Sequence, residues 1–323
     1  MGSIDGRGKI SPTRLNISGE NQPSRPEIEE MLGAHALDFE KSRRMKSTED
    51  RYCGWVTSAQ LDTNDFSDRD AWDYGSASVF YFREDRKVVD ASNKKRLINQ
   101  RIKLWLAENG RQRAPATVKQ EIKDSVDAEL TASAPIRAKI VQVAIQWDEQ
   151  WAVVLSQSDD VVDTIIKLLN TTFGETDIRF SRTQAEDVLG EEVEVGFGLL
   201  LLNKLWDKLD KEKALEIGDF EFSLGNNAML SSEGGTTTIK GGIKREEIEA
   251  ASTEGKRLQN LGIAFDRNEN NYELTVLSDL KIKDLVRPPM VSEQDGGSVL
   301  IGMSMYDEAY QAIKAIASWA REA

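Results

Sequence analysis

The sequence predicts an α+β fold, and three patterns carry that expectation. Between Ile140 and Ser181, two apolar strand-like stretches, an amphipathic helix and a further strand follow one another as a ββαβ unit. Between Ser92 and Leu130, two helical periodicities are joined by a short basic loop, which reads as a helical hairpin. Between Lys256 and Val286, three short strand-like runs are separated by turns, as in an antiparallel meander. At 323 residues and 39% hydrophobic, the chain holds one large or two to three small domains of about 150 residues each.

The opening Met1-Gly2-Ser3-Ile4-Asp5-Gly6-Arg7 reads as a protease-site remnant and is kept out of the expected fold. A strand from Lys9 to Ser18 follows, then a helix from Pro26 to Asp38 with acidic residues in its first turn, which suit the positive end of the helix dipole. Asp50 to Val56 and Ala77 to Arg83 are expected strands, separated by an acidic loop from Asp62 to Asp73. Ser92 is the expected N-cap of a helix closed by Gly110, on which Leu97, Ile98, Ile102, Trp105 and Leu106 recur at helical spacing. Pro115 to Leu130 forms the second arm, with Val118, Ile122 and Val126 four residues apart.

Strands at Ile140 to Trp147 and Trp151 to Leu155, a helix from Ser158 to Gly174 and a strand from Thr176 to Ser181 complete the central unit. Beyond it come a helix from Glu191 to Lys211, strands at Leu215 to Leu224 and Thr236 to Lys240, and a helix from Lys244 to Thr253. After the meander, Pro288 and Pro289 stop the last strand, Asp295-Gly296-Gly297-Ser298 forms a turn, Val299 to Met303 a short strand, and Tyr306 to Arg321 a closing helix. The expected parts are 1–90, an N-terminal α+β part; 91–135, a basic hairpin arm; 136–190, the ββαβ unit; 191–290, a second α+β domain; and 291–323, a C-terminal strand and helix.

Composition removes whole classes of chemistry. With Cys53 alone, no intramolecular disulfide forms. With His35 alone, neither an HExxH zinc site nor a two-histidine iron site can be assembled within one chain, and any Ser-His-Asp or Cys-His device would have to use that histidine. The longest apolar run, Gly196 to Leu202, is far below the roughly 20 residues of a bilayer span. No signal peptide opens the chain, so a cytoplasmic location is expected.

Charge is the most informative feature. The whole chain carries −13, yet the stretch from Arg83 to Lys123 holds twelve basic and five acidic residues, a net of +7 against −20 elsewhere. A basic arm on an acidic body suits a polyanion, because phosphates need local Lys and Arg while the remaining surface repels unproductive contact. Ordinary solvated helix faces are the simpler reading of the same residues, and the spacing suits RNA, DNA or an acidic protein equally.

Other constellations are weaker. Glu121-Ile122-Lys123 has the spelling of a nuclease fragment but falls on a helix, and Asp219 and Glu221 alternate on an expected strand, pointing to one face. Gly196-Phe197-Gly198 lacks the third glycine of a dinucleotide fingerprint. Gly234-Gly235 and Gly241-Gly242 read as turns around a Thr-rich strand, with Lys240, Lys244 and Arg245 near a helix start where backbone N–H groups can receive a phosphate. Phe80-Tyr81-Phe82 alternates faces and reads as packing rather than an RNA-stacking platform.

The order of the pieces resembles the recombination-associated RdgC family of bacterial DNA-binding proteins, often described as exonucleases. The residues that carry the resemblance are Gly54-Trp55-Val56, then Phe82 to Val89 leading into the basic helix, then Lys119-Gln120-Glu121-Ile122-Lys123. It continues through the Trp147-Asp148 turn, the helix ending at Phe173-Gly174 and the helix from Gly198 to Trp206, and on through Gly234-Gly235, Ile239-Lys240-Gly241, Glu246-Glu247-Ile248 and Glu254-Gly255-Lys256. The resemblance implies several antiparallel sheets with packed helices in a horseshoe-shaped subunit, pairing as a homodimer into a ring around double-stranded DNA. It implies nucleoid association and sequence-independent binding that limits access of a RecA-type recombinase by competition, with no membrane partner, and no catalytic residue, metal or cofactor is expected. Two departures stand out. Family members tend to carry Leu-Pro-Arg-Ala-Phe where this chain has Pro135-Ile136-Arg137-Ala138-Lys139, and Lys-Gly followed by Gln-Asp-Leu where it has Lys240-Gly241-Gly242-Ile243.

The expected DNA-binding residues are Lys94, Lys95, Arg96, Arg101, Lys103, Arg111, Arg113, Lys119, Lys123, Arg137, Lys139 and Lys240, with Lys244 and Arg245 secondary. Two competing functions are a metal-dependent exonuclease with carboxylates gathered from distant positions, and an interaction module whose basic arm grips an acidic protein.

Overall fold

The computed structural model describes residues 2–6, 8–45, 50–57, 63–190, 192–289 and 297–322. Asp62, Glu191 and the expected turn residues Asp295 and Gly296 lie outside them. The fold is α+β, built on two antiparallel sheets. The first has strand order β2-β3-β4-β5-β1-β6, formed by β1 (Thr13–Ser18), β2 (Arg51–Val56), β3 (Ala77–Lys87), β4 (Ile136–Gln146), β5 (Trp151–Val154) and β6 (Arg179–Arg182). The second runs β12-β11-β10-β8-β7 with β9 added to β8: β7 (Leu215–Ile217), β8 (Phe220–Ser232), β9 (Gly235–Lys240), β10 (Arg257–Arg267), β11 (Asn270–Leu277) and β12 (Ile282–Val286).

The chain divides into two compact units, each assembled from more than one stretch of sequence. One comprises Met1–Pro23, Asp73–Val79 and Gln142–Ala323. Its helices are α5 (Asp159–Thr172), α6 (Ala185–Leu189), α7 (Phe197–Glu212), α8 (Arg245–Thr253) and α9 (Gly297–Glu322). Its core gathers Leu201, Leu205 and Leu209 of α7, Phe222, Phe265 and Val276 of the second sheet, and Tyr306, Ile313 and Ile316 of α9. The meander turn holds Asn268 and Glu269 at φ 48° and 68°, the backbone that a two-residue hairpin loop demands.

The opening segment belongs to this core, contrary to the expectation that it stands outside the fold. Ile4 is fully buried. Its N–H donates to Gln142 Oε1 at 2.7 Å, and the carbonyls of Ser3, Ile4 and Gly6 accept from the Arg287 guanidinium at 2.6–2.9 Å. The expected strand at Val299–Met303 is instead the first turns of α9, because Val299, Met303, Tyr306 and Tyr310 continue the buried face of the closing helix. A short apolar run does not by itself distinguish strand from helix. The expected strand from Leu215 to Leu224 is two strands, since Gly218 at φ 57° turns β7 back onto β8. Asp219 therefore sits in a turn while Glu221 lies on β8, and the two carboxylates do not alternate along one strand.

Gly198 has a packing reason of its own. A β-carbon there would stand 1.8 Å from the Ser278 carbonyl oxygen, so Gly198 serves close approach of α7 to the chain after β11, while Gly196 at φ 90° supplies the left-handed N-cap of the helix.

The other unit comprises Ser24–Trp72 and Phe80–Val141, with α1 (Arg25–Ala34), α2 (Phe39–Arg43), α3 (Ala91–Asn109) and α4 (Ala116–Ser133). The expected helix to Asp38 ends at Ala34, and Asp38 caps α2 by accepting from Lys41 N–H. Its core centres on Trp55, whose ring meets Phe80 edge-on at 4.9 Å and Phe82 at 6.3 Å. The Gly54-Trp55-Val56 motif needs its glycine because the chain crosses it: Trp55 N–H donates to His35 O, Leu37 N–H donates to Trp55 O, and a β-carbon on Gly54 would lie 2.5 Å from Leu37 N. Asp85, almost fully buried, is compensated by Ser42 Oγ at 2.6 Å and Arg83 Nε at 2.7 Å, as a buried carboxylate requires.

Gly54→Ala is expected to prevent this unit from folding at physiological temperature, and Trp55→Ala to cost about 3–5 kcal/mol. Chemical denaturation followed by tryptophan fluorescence checks both, and a native midpoint for Gly54→Ala contradicts the crossing-chain account.

Candidate nucleic-acid interface

The arm grows directly out of strands β3 and β4. β3 ends at Lys87, Asp90 caps α3 by accepting from Asn93 N–H at 2.6 Å, and Gly110 closes the helix in the left-handed conformation. The cap is thus Asp90 rather than the expected Ser92, and the helix gains its first turn earlier. α4 returns the chain to β4, and Lys87 Nζ donates to the carbonyls of Thr131 and Ala132 in the last turn of α4. A lysine on those orphan carbonyls satisfies them and complements the negative end of the dipole.

The two arms form a thin pair. No residue of α3 is buried, and on α4 only Val126 and Thr131 are. Leu97, Ile98, Ile102, Trp105 and Leu106 are half-buried, so side-chain ties supplement the apolar contact. Lys94 Nζ pairs with Asp127 at 2.6 Å, while Arg101 pairs with Glu129 and donates to Ser125 Oγ at 3.0 Å. Lys94 and Arg101 face α4 and hold the hairpin together.

The remaining expected cations of the arm point outward. Lys95, Lys103, Arg111, Arg113, Lys119 and Lys123 are exposed and make no ion pair among the described residues, and Arg96 donates only to Asn93 at 2.9 Å. Arg137 and Lys139, two apart on the first part of β4, are exposed as well and share one face of the strand. The outward face of α3 also carries Asn99, Gln100 and Leu104, which a charge-led reading passes over. Their signal in the sequence is the helical spacing from Arg96 and Lys103.

Lys240, Lys244 and Arg245 belong to the other unit. Lys240 is exposed and lines a cavity with Lys9, Asn226, Asn227, Glu273 and Asp284, a mixture of both charge signs. The N–H groups of Gly241 and Gly242 already donate to Asn226 O, at 2.9 and 3.3 Å, and Glu246 and Glu247 occupy the first turn of α8. Arg245 is spent internally: it pairs with Asp210 at 2.6 Å, Glu249 at 3.4 Å and Asp207 at 3.6 Å, over the Trp206 ring. With Arg245 held by these carboxylates and two glutamates in its first turn, this helix start is acidic rather than basic.

Among the described residues, no group of three or more His, Cys, Asp or Glu side chains converges as a metal site would require. Partial burial and the Glu84 charge push the Cys53 thiol up, away from the thiolate. No helix among the described residues is long and apolar enough to cross a membrane.

A family model described as "Putative exonuclease, RdgC" matches residues 20–189, more than half of the chain. The chain belongs to the RdgC family. That family is recombination-related and DNA-associated. The RdgC match takes in β2, β3, both arm helices and β4, so every arm candidate falls within it, whereas Lys240, Lys244 and Arg245 lie beyond. No curated protein matches the chain.

A double-mutant cycle on Lys94→Ala and Asp127→Ala is expected to give a coupling of about 0.2–1 kcal/mol, the range of half-exposed ion pairs. Thermal melts should likewise separate neighbours: Arg245→Ala lowers the midpoint, while Lys244→Ala leaves it unchanged.

Proposed function

We propose that this protein binds double-stranded DNA without sequence requirement, as a homodimeric ring that occupies duplex and limits access of a RecA-type recombinase. The observation that carries the reading is the sorting of charge on the arm. Lys94 and Arg101 hold the hairpin closed, while Lys95, Arg96, Lys103, Arg111, Arg113, Lys119 and Lys123 stay outward, with no carboxylate partner among the described residues. Membership of the RdgC family supports a DNA ligand. Arg137 and Lys139 extend the cationic surface along β4, and Lys240 is a separate contact on the other unit. The ring, its closure with Lys139 in place of the family's aromatic, and a nucleoid location in the cytoplasm rest on the family resemblance.

Phosphate neutralisation displaces condensed counterions, so log Kd rises with log salt by about 0.9 per phosphate contacted. Replacing Lys95, Arg111 and Arg113 together by Glu is expected to make that slope shallower by about 2–3 and to weaken binding at every salt concentration. A titration on linear duplex from low to moderate salt, with mass from light scattering, checks both the slope and the dimer. An unchanged slope in the triple variant contradicts the proposed role of the arm. The family description favours a second reading, an exonuclease, which predicts Mg²⁺- or Mn²⁺-dependent shortening of end-labelled duplex that EDTA abolishes.

A further inference from the structure

The outward face of α3 is composed differently from a plain phosphate-binding surface. At about 100° per residue, Arg96, Asn99, Gln100 and Lys103 fall within an arc of roughly 100°, on the side away from the half-buried Ile98 and Trp105 and the inward Lys94 and Arg101. Leu104, 55% exposed, borders them, and the five side chains line one shallow depression on the helix surface. No carboxylate interrupts this set. Phosphate contact alone asks only for cations, whereas Asn99 and Gln100 bring uncharged side chains that both donate and accept, and Leu104 brings apolar surface with nothing to cover it.

That inventory matches the base edges of a major groove. Arginine and lysine suit the O6 and N7 acceptors of guanine, asparagine and glutamine suit the N6 and N7 of adenine, and an apolar side chain suits the thymine methyl. The groove is about 12 Å wide and admits a helix. From Arg96 to Lys103 the helix rises about 10 Å, the height of about three base pairs. The flanking Lys95, Arg111 and Arg113 supply the charge complementarity that would hold such a helix against a polyanion.

We infer that α3 enters the major groove of duplex DNA, with Arg96, Asn99, Gln100, Lys103 and Leu104 against base edges while the neighbouring cations bear on phosphates. This inference rests on the DNA-binding reading above and adds to it a named groove and contacts that carry no charge. A helix lying in the groove reaches base edges of any sequence, so binding stays general while acquiring preferences over about three base pairs.

The test uses dimethyl sulfate, which methylates guanine N7 in the major groove and adenine N3 in the minor groove, on duplex saturated with the full-length protein. The expected result is at least a threefold fall in guanine N7 methylation with adenine N3 unchanged. Arg96→Ala combined with Lys103→Ala is expected to restore N7 methylation, and Asn99→Ala combined with Gln100→Ala, an exposed pair whose replacement raises helix propensity, to weaken binding about threefold or more without altering the salt slope. Circular dichroism confirms that each variant keeps its helices. Duplex that binds with a steep salt slope while N7 stays fully reactive overturns groove entry and leaves the DNA reading intact. Failure of the wild-type protein to bind duplex at low salt overturns both and turns the same face toward an acidic protein partner.

Discussion

A pair of helices with almost no buried surface needs an anchor, and this arm has one at its base. Lys87, the last residue of β3, places its ammonium on the carbonyls of Thr131 and Ala132 at the end of α4. The strand that sends the chain into the arm thereby grips the helix that brings it back. Val126 and Thr131 are buried toward the same end, so packing and hydrogen bonding act together at the base. The Gly54–Trp55 crossing and the Asp85–Ser42–Arg83 cluster fix β2 against β3 and α2. Where the outer turns of α3 point follows from this base.

The same economy governs charge. Of the basic residues between Arg83 and Lys123, Arg83 serves Asp85, Lys87 serves α4, and Lys94 and Arg101 bridge the two helices. Each of these positions puts a cation where the chain's own carboxylates or carbonyls need one. Those that remain are confined to surfaces the fold leaves to solvent, with no acidic side chain paired to them among the described residues. A cationic surface of this kind on an otherwise acidic protein is the feature on which the proposed binding of a polyanion rests.

Periodicity made much of this legible. The hairpin, the ββαβ unit and the meander follow from apolar spacing, and Gly110 marks the break between the arms. Spacing failed where competing signals were short: Val299–Met303 reads equally as strand or helix, and Gly218 hides a hairpin turn inside an apolar alternation. The opening segment carries no pattern at all, because its place depends on one distant guanidinium, Arg287, meeting three of its carbonyls. In the candidate site, counting charge found the arm but did not tell bridging cations from free ones. Lys94 differs from Lys95 only in where a turn of helix aims it, and Arg245 is withdrawn by carboxylates on α7 and α8. Asn99 and Gln100 escaped because they carry no charge.

The central claim is that the arm is the part of the chain that meets nucleic acid. The most direct measurement is to photocross-link the protein to a duplex of mixed sequence and identify the linked peptides by mass spectrometry. The account predicts cross-links concentrated between residues 92 and 123, with α3 peptides containing Arg96 to Lys103 the most heavily modified. Cross-links spread over the acidic unit, or absent from α3 while DNA is retained, would contradict it.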